Sequence, residues 1–299
     1  MKVVEPKQPE TEGLERHPTP SVMRRLWRRD KVAVCSGVGV LLIWGLSIAA
    51  PLLPLPDPNA LDLSNRLAPI GAPSHPLGTD EFGRDLLSRL IWGGRVSVTV
   101  GIVAVALALT LGALIGLVAG FFRGILDTLL MRIIDVLMAF PYILLAIAVL
   151  AALGPGLMNT MLAIGIAGAP YYARLVRGSV LAVREKEFVE GVRALGAGAF
   201  RIIFRHILPN IAGPVIIAAS LDVGWMIMAA AGMSFLGLGA QPPTAEWGIM
   251  LSNGIKYIRL APHLSILPGL AIFLVVLAIN LFGDGLREAL DPKLARPVR

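Results

Sequence analysis

Residues 96–122 read VSVTVGIVAVALALTLGALIGLVAGFF, 27 residues without one charged side chain. A helix rises about 1.5 Å per residue, so this run is long enough to cross a hydrocarbon core of roughly 30 Å. Lipid offers the backbone no hydrogen-bond partners, so such a run must satisfy itself as a helix. Ala104, Ala108, Gly112, Gly116 and Gly120 recur within it at every fourth position. That spacing places them on one helix face. Small residues let two backbones approach closely in a membrane, so this face is predicted to pack. Its mate is a helix of this chain or of a partner.

Five further apolar runs lie outward from it, at 32–50, about 133–153, about 157–173, about 210–235 and about 264–283. The expected fold class is therefore an all-α polytopic membrane protein with about six transmembrane helices. Composition agrees. The chain has 299 residues, 56% hydrophobic and 16% charged, with a mean hydropathy of +0.73. A soluble domain averages about 25% charged residues. A soluble enzyme and a disordered chain are both excluded for most of the length. The run at 32–50 has a rival reading as a secretory signal. A signal's apolar stretch is typically about 7–15 residues, shorter than this one, so a retained span is expected. The single Cys35 excludes a disulfide framework or a cysteine-rich metal site.

Lys and Arg set the orientation. With the N-terminus cytoplasmic, the inner segments 1–31, 123–132, 174–206 and 284–299 hold 21 of the 27 basic residues. The outer segments 56–95 and 236–263 hold the remaining 6. Basic residues favour the cytoplasmic side, so both termini are expected there. The same bias accounts for the net charge of +7 without a nucleic-acid partner. The organisation expected is a cytoplasmic tail over 1–31, a membrane domain over 32–283 and a cytoplasmic tail over 284–299. The first tail is read as mostly disordered, ending in the cluster Arg24, Arg25, Arg28, Arg29 and Lys31. The external loop 56–95 is read as ordered, with a short amphipathic helix at 81–92.

Two acids interrupt the apolar runs. Asp135 has Arg132 three residues before it, on the same helix face, and an interfacial ion pair is the expected arrangement. Asp222 lies 13 residues after Pro209, about 20 Å along a helix and hence near mid-membrane. An acid there costs about 2.5–3.5 kcal/mol on insertion scales. It either faces a cavity or partner, or makes a structural hydrogen bond inside the bundle. Asp222, with Trp225 and Met226 beside it, is the candidate substrate-pathway group, attracting a cationic part of the cargo.

Catalytic patterns are missing from the sequence. A phosphate-cradling P-loop needs Gly-Lys followed by Ser or Thr, and none of the six lysines follows a Gly. His17, His75, His206 and His263 form no metal-ligand spacing. No cofactor or metal site and no catalytic residue is expected in this chain. Its work is predicted to be mechanical or conductive.

The inner loop 174–206 is too regular for a simple connector. Phe188, Val192 and Leu195 follow i, i+4, i+7 spacing, while Glu187, Glu190 and Arg193 lie off that stripe. Gly196, Ala197 and Gly198 then break the helix. Ile202, Ile203 and Phe204 sit beside Arg201 and Arg205 in a second short segment. Pro209 opens the next membrane helix, where its missing amide hydrogen costs little. A short amphipathic helix held between spans can press into a groove on a soluble partner or lie on lipid. The pattern alone leaves both open.

The stretch Glu190-Gly-Val-Arg-Ala-Leu-Gly196, nine residues, then His206-Ile-Leu-Pro209 resembles the "EAA" signature of ABC importer permeases. That signature is Glu-Ala-Ala, three residues, Gly, nine residues, Ile, one residue, Leu-Pro. Glu190, Gly196, Leu208 and Pro209 match it in spacing. Gly191 and Val192 replace the two alanines, and His206 takes the Ile place. His75-Pro-Leu-Gly-Thr-Asp-Glu-Phe-Gly-Arg-Asp85 is similar to the C-type permease of the dipeptide, oligopeptide and nickel family. So is Ser234-Phe-Leu-Gly-Leu-Gly-Ala-Gln-Pro-Pro243, continued by Glu246-Trp-Gly248. The resemblance runs over about 20–292.

The resemblance implies a type I ABC importer bundle in a bacterial or archaeal cytoplasmic membrane. It implies a B-type permease partner, two cytoplasmic ATPase subunits that bind ATP and Mg, and an extracytoplasmic binding protein that delivers peptide. The segment 190–196 would be the coupling helix, with Glu190, Gly191, Arg193, Ala194, Leu195 and Gly196 at the ATPase and Leu208 and Pro209 anchoring the return into the membrane. Nickel or another small solute is the alternative cargo. An autonomous carrier using Asp135 and Asp222 as proton relays is the alternative of another class.

Overall fold

A computed structural model describes residues 30–290. The expected N-terminal tail and its basic cluster lie outside the described residues, apart from Asp30 and Lys31. Apart from the segment 49–85, which holds only the short 3-10 turns Ala50–Leu52 and Leu63–Asn65, the described residues are built of α-helices joined by short turns. They are α1 (Lys31–Ile48), α2 (Leu86–Phe122), α3 (Gly124–Met138), α4 (Tyr142–Leu153), α5 (Leu157–Arg184), α6 (Glu187–Ala194), α7 (Ala199–Ile202), α8 (Leu208–Phe235), α9 (Trp247–Ile255) and α10 (His263–Leu290).

Side-chain caps set several helix starts. Asp30 accepts the Ala33 N–H at 3.0 Å, Asp85 that of Ser88 at 2.7 Å, and Glu246 those of Gly248 and Ile249 at 2.9 Å each. Each carboxylate satisfies amides that a helix start leaves unpaired.

The small-residue face of α2 packs within the chain, against α5. Ala104 and Ala108 are fully buried, and Gly112, Gly116 and Gly120 are buried with them. A methyl group on Gly112 would collide with the Ala169 carbonyl and Tyr172, and one on Gly116 would sit 2.5 Å from the Ala173 carbonyl. One on Gly120 would press on Val180. Ala146 of α4 and Met226 and Met233 of α8 extend this core around Ile164 of α5. A second core joins α1, α9 and α10 around Trp247, Val275 and Ile279. The outer faces of α1 and α10 leave Leu41, Leu42, Phe273 and Leu274 exposed, as lipid-facing helices do.

Four stretches are each long and apolar enough to cross a membrane: Lys31–Ile48, Leu86–Phe122, Ala199–Phe235 and His263–Leu290. The run expected at 133–153 is not one straight helix. It is α3 and α4, bent by 97° at the break before Pro141. Proline has no amide hydrogen to donate and keeps the preceding residue out of the helical region, so the helix stops at Met138 and restarts at Tyr142. Taken as one span, the pair makes a fifth. The remaining expected span is α5, 28 residues long but diluted by Asn159, Thr160, Tyr171, Tyr172 and Arg174.

Other boundaries also shift. The separate helix expected at 81–92 is absent. Asp85 instead caps α2, which runs unbroken from Leu86 into the membrane. The helix α10 continues past 283 to Leu290, into the expected C-terminal tail.

Candidate coupling site

At the end where α2 stops, the chain leaves α5 and turns at Glu185 and Lys186 into α6. Glu187 and Glu190 occupy the first turn of α6 and Arg193 the last, the charge order that complements a helix dipole. The helix ends in a Schellman turn. The Gly196 N–H donates to the Arg193 carbonyl at 3.0 Å and the Ala197 N–H to the Val192 carbonyl at 3.3 Å. Such a turn needs a left-handed residue, and Gly196 supplies it with φ +80°. The spacing of Gly196 after Glu190 therefore has a local cause: it fixes where the helix stops.

The stripe read from the sequence divides. Val189, not Phe188, is the residue α6 sinks into the chain, at 0% exposure. With Val192 and Ala197 it packs on Val176, Val180 and Val183 of α5 and on Ile202, Ile207 and Ile211. Phe188 and Leu195 face outward, at 42% and 89% exposure. Phe200 and Phe204, stacked at 6.0 Å, are exposed beside them. Glu190, Gly191, Arg193, Ala194 and Gly196 are exposed as well. The site is thus a short helix, fastened by one apolar face, whose other face leaves apolar and charged groups uncovered.

Pro209 lies in the first turn of α8, as expected, but no gap precedes it. A π-turn over Ile203–Ile207 joins α7 to α8, and the Leu208 N–H reaches back to the Ile203 carbonyl. A widened turn accommodates the ring of Pro209, which would otherwise press on the carbonyl four residues before it. Leu208 packs in the core beneath α6, and Pro209 is exposed.

Three ion pairs tie α5, the helix that carries α6, to the α3 side. Arg177 forks onto Asp127 at 2.6 and 2.8 Å. Arg174 meets Asp135 at 2.6 Å, and Arg123 meets Glu185 at 2.6 Å. Asp135 is therefore paired with a residue of another helix and not with Arg132. The turn-mate lost because Arg174 approaches from α5, a contact helix periodicity does not report.

Of the pathway candidates, Asp222 accepts the Tyr172 hydroxyl at 3.0 Å, the structural hydrogen bond that was one of its two readings. Met226 is 1% exposed, in the core against the Tyr142 hydroxyl, while Trp225 is 44% exposed. The three do not form one surface.

At the opposite end, the two other quoted motifs meet. Asp80 accepts from Arg84 Nε at 2.7 Å and lies 3.4 Å from Arg89 Nε. Arg89 also donates to the carbonyls of Pro58 at 2.8 Å and Pro243 at 3.4 Å. The indole N–H of Trp247 donates to the Leu90 carbonyl at 2.8 Å, and Ser97 donates to Glu246 at 3.1 Å. Arg89, in neither motif, is the joint the sequence reading missed. No local signal marks it, since Arg95 and not Arg89 directly precedes the apolar run at 96–122.

Residues 112–296 match the family model described as the binding-protein-dependent transport system inner membrane component. The chain is 46% identical to the glutathione transport system permease protein GsiD of Pectobacterium atrosepticum, covering 91% of each chain. It is 46% identical to the dipeptide transport system permease protein DppC of Alkalihalophilus pseudofirmus, over 89% of this chain and 88% of that one. The di/tripeptide permease DppC of Pseudomonas aeruginosa is 44% identical, over 92% and 93%. A solved structure of the MetNI methionine ABC transporter in inward-facing conformations shares the fold, with TM-score 0.57 and 18% identity over 69% of this chain and 98% of that chain. By family model and relatives alike, this chain belongs to the inner-membrane permease components of binding-protein-dependent ABC transport systems.

Proposed function

We propose that this permease takes up short peptides, with α6 as the lever that receives the stroke of an ATPase. One observation carries the reading: α6 is fastened inward by Val189 while Phe188, Leu195, Phe200 and Phe204 stay uncovered. Peptide cargo is supported by the named substrates of the relatives, which are dipeptides, tripeptides and glutathione.

In this reading both termini are cytoplasmic and the chain pairs with a second, B-type permease. Two ATPase subunits bind ATP and Mg, and an extracytoplasmic binding protein delivers the peptide. Glu190, Gly191, Arg193, Ala194, Leu195 and Gly196 form the docking surface. Closure of the ATPase pair displaces α6. The core beneath it passes that displacement to α5 and, through the π-turn and Leu208–Pro209, to α8. ATP must bind one arrangement of the complex better than the other for the bundle to switch.

The test is Glu190→Lys and Gly196→Asp in the reconstituted complex. Each is expected to abolish peptide uptake and uncouple ATP turnover, with expression largely retained. Normal uptake in both variants would defeat the assignment.

A further inference from the structure

Between segment 80–89 and α9, at the end away from α6, lies a crevice of about 240 Å³. Glu81, Phe82, Arg84, Ile249, Lys256 and Tyr257 are among its walls. The side chain of Arg84 is only 6% exposed, and its Nε is committed to Asp80. No hydrogen bond from its terminal nitrogens is formed among the described residues; Nη2 makes only a long ion pair with Glu81, at 3.9 Å. The guanidinium lies 4.7 Å over the Phe82 ring, which fixes its plane.

Asp80 is shared between Arg84 and Arg89. One carboxylate thus serves two guanidiniums, and exposed Lys256 adds a further positive charge at the rim. A nearly buried guanidinium with free N–H groups favours an acceptor that meets two of them at once, and a carboxylate does so. Lysine adds a point charge without a fixed direction. Glu81 gives the same crevice a group for an ammonium, and Phe82, Ile249 and Tyr257 give it an apolar wall.

We propose that this crevice binds a short zwitterionic peptide by its C-terminal carboxylate, held by Arg84 and Lys256. A docking protein's acidic side chain would bring one charge sign only, whereas the crevice carries both. The proposal rests on peptide being the cargo, and it adds a site on the permease itself where that cargo is held before translocation.

The test uses the complete complex in nanodiscs, without ATP or binding protein, and measures binding by equilibrium dialysis. The probes are alanyl-phenylalanine, its C-terminal amide, and N-acetyl-aspartate amide as the mimic of an acidic side chain. Alanyl-phenylalanine is expected to bind saturably, and its amide at least tenfold more weakly. Lys256→Gln, at the exposed rim, should weaken the free acid about fivefold and leave the amide unchanged. Absence of saturable binding, equal binding of acid and amide, indifference to Lys256→Gln, or tighter binding of the aspartate mimic would each overturn the proposal. ATP-driven uptake of alanyl-phenylalanine, with the binding protein restored, reports the cargo separately. Uptake without crevice binding overturns the crevice alone, whereas crevice binding without uptake overturns the peptide reading and, with it, the crevice's part in translocation.

Discussion

At Gly196 the backbone turns with φ +80°, and two hydrogen bonds close α6 around it. A side chain there costs about 1–2 kcal/mol, because Cβ crowds the following carbonyl in the left-handed region. Gly196→Ala is expected to raise amide exchange at Gly196 and Ala197 by roughly 5–30-fold, measured by hydrogen exchange. Gly191 is the contrasting case. It sits inside α6 with open space around its Cα, so Gly191→Ala should stabilise the helix by about 1 kcal/mol and lower exchange. Equal behaviour of the two variants would show that the cap is idle. Glu246 carries a different constraint. Burial pushes its carboxyl above the usual carboxylate range, outweighing the amide and hydroxyl donors that favour the charge. The raised value means that Glu246 favours folding most below the ordinary glutamate pKa of about 4.3, and loses that advantage as pH rises through the folded value. Glu246→Gln has no charge to bury. Its melting midpoint in detergent should therefore gain on wild type as pH rises, and a constant gap would refute the argument.

Among the elements, α3 is tied to α5 by a set of ion pairs. Asp127 with Arg177, Asp135 with Arg174 and Glu185 with Arg123 make a row along one side of α5. Partly exposed pairs contribute about 0.2–1 kcal/mol each, so the row aligns the helices more than it stabilises them. A double-mutant cycle with Asp127→Asn and Arg177→Met should give a coupling of about 0.5–1 kcal/mol by thermal unfolding. A coupling near zero would mean the fork is ornamental. These elements also show where sequence reasoning stops. The runs and the glycine face of α2 were legible because hydropathy and the four-residue repeat are local properties. Arg132 stood in for Arg174 because a helix turn is visible in sequence and a neighbouring helix is not. Pro141 did signal the break between α3 and α4, but the apolar residues around it masked that signal. The position of Gly196 was read correctly as a helix stop. Which face α6 would bury was not readable, because Phe188 and Val189 are both apolar neighbours and only the valine-rich core of α5 selects between them.

Across the whole molecule, the two ends are joined by α2 and α5, so the end away from α6 must be stiff if a displacement at α6 is to move the bundle rather than deform it. Both motifs at this end were legible in the sequence, but not that they touch. Arg89 makes the junction: 3% exposed, it links Asp80 to the backbone of Pro58, Pro243 and Thr244. Removing one side of a buried charged contact leaves the other uncompensated. Arg89→Met should therefore cost about 3 kcal/mol, the low end for breaking a buried pair, because Arg84 remains on Asp80. Exposed Arg259, at the same end, is the control: Arg259→Met should stay within about 0.5 kcal/mol. Thermal unfolding of the complex in detergent separates the two. If Arg89→Met melted with wild type, the end away from α6 would owe its rigidity to the apolar packing of Trp247 and its neighbours, and the charged joint would have no mechanical part in the switch.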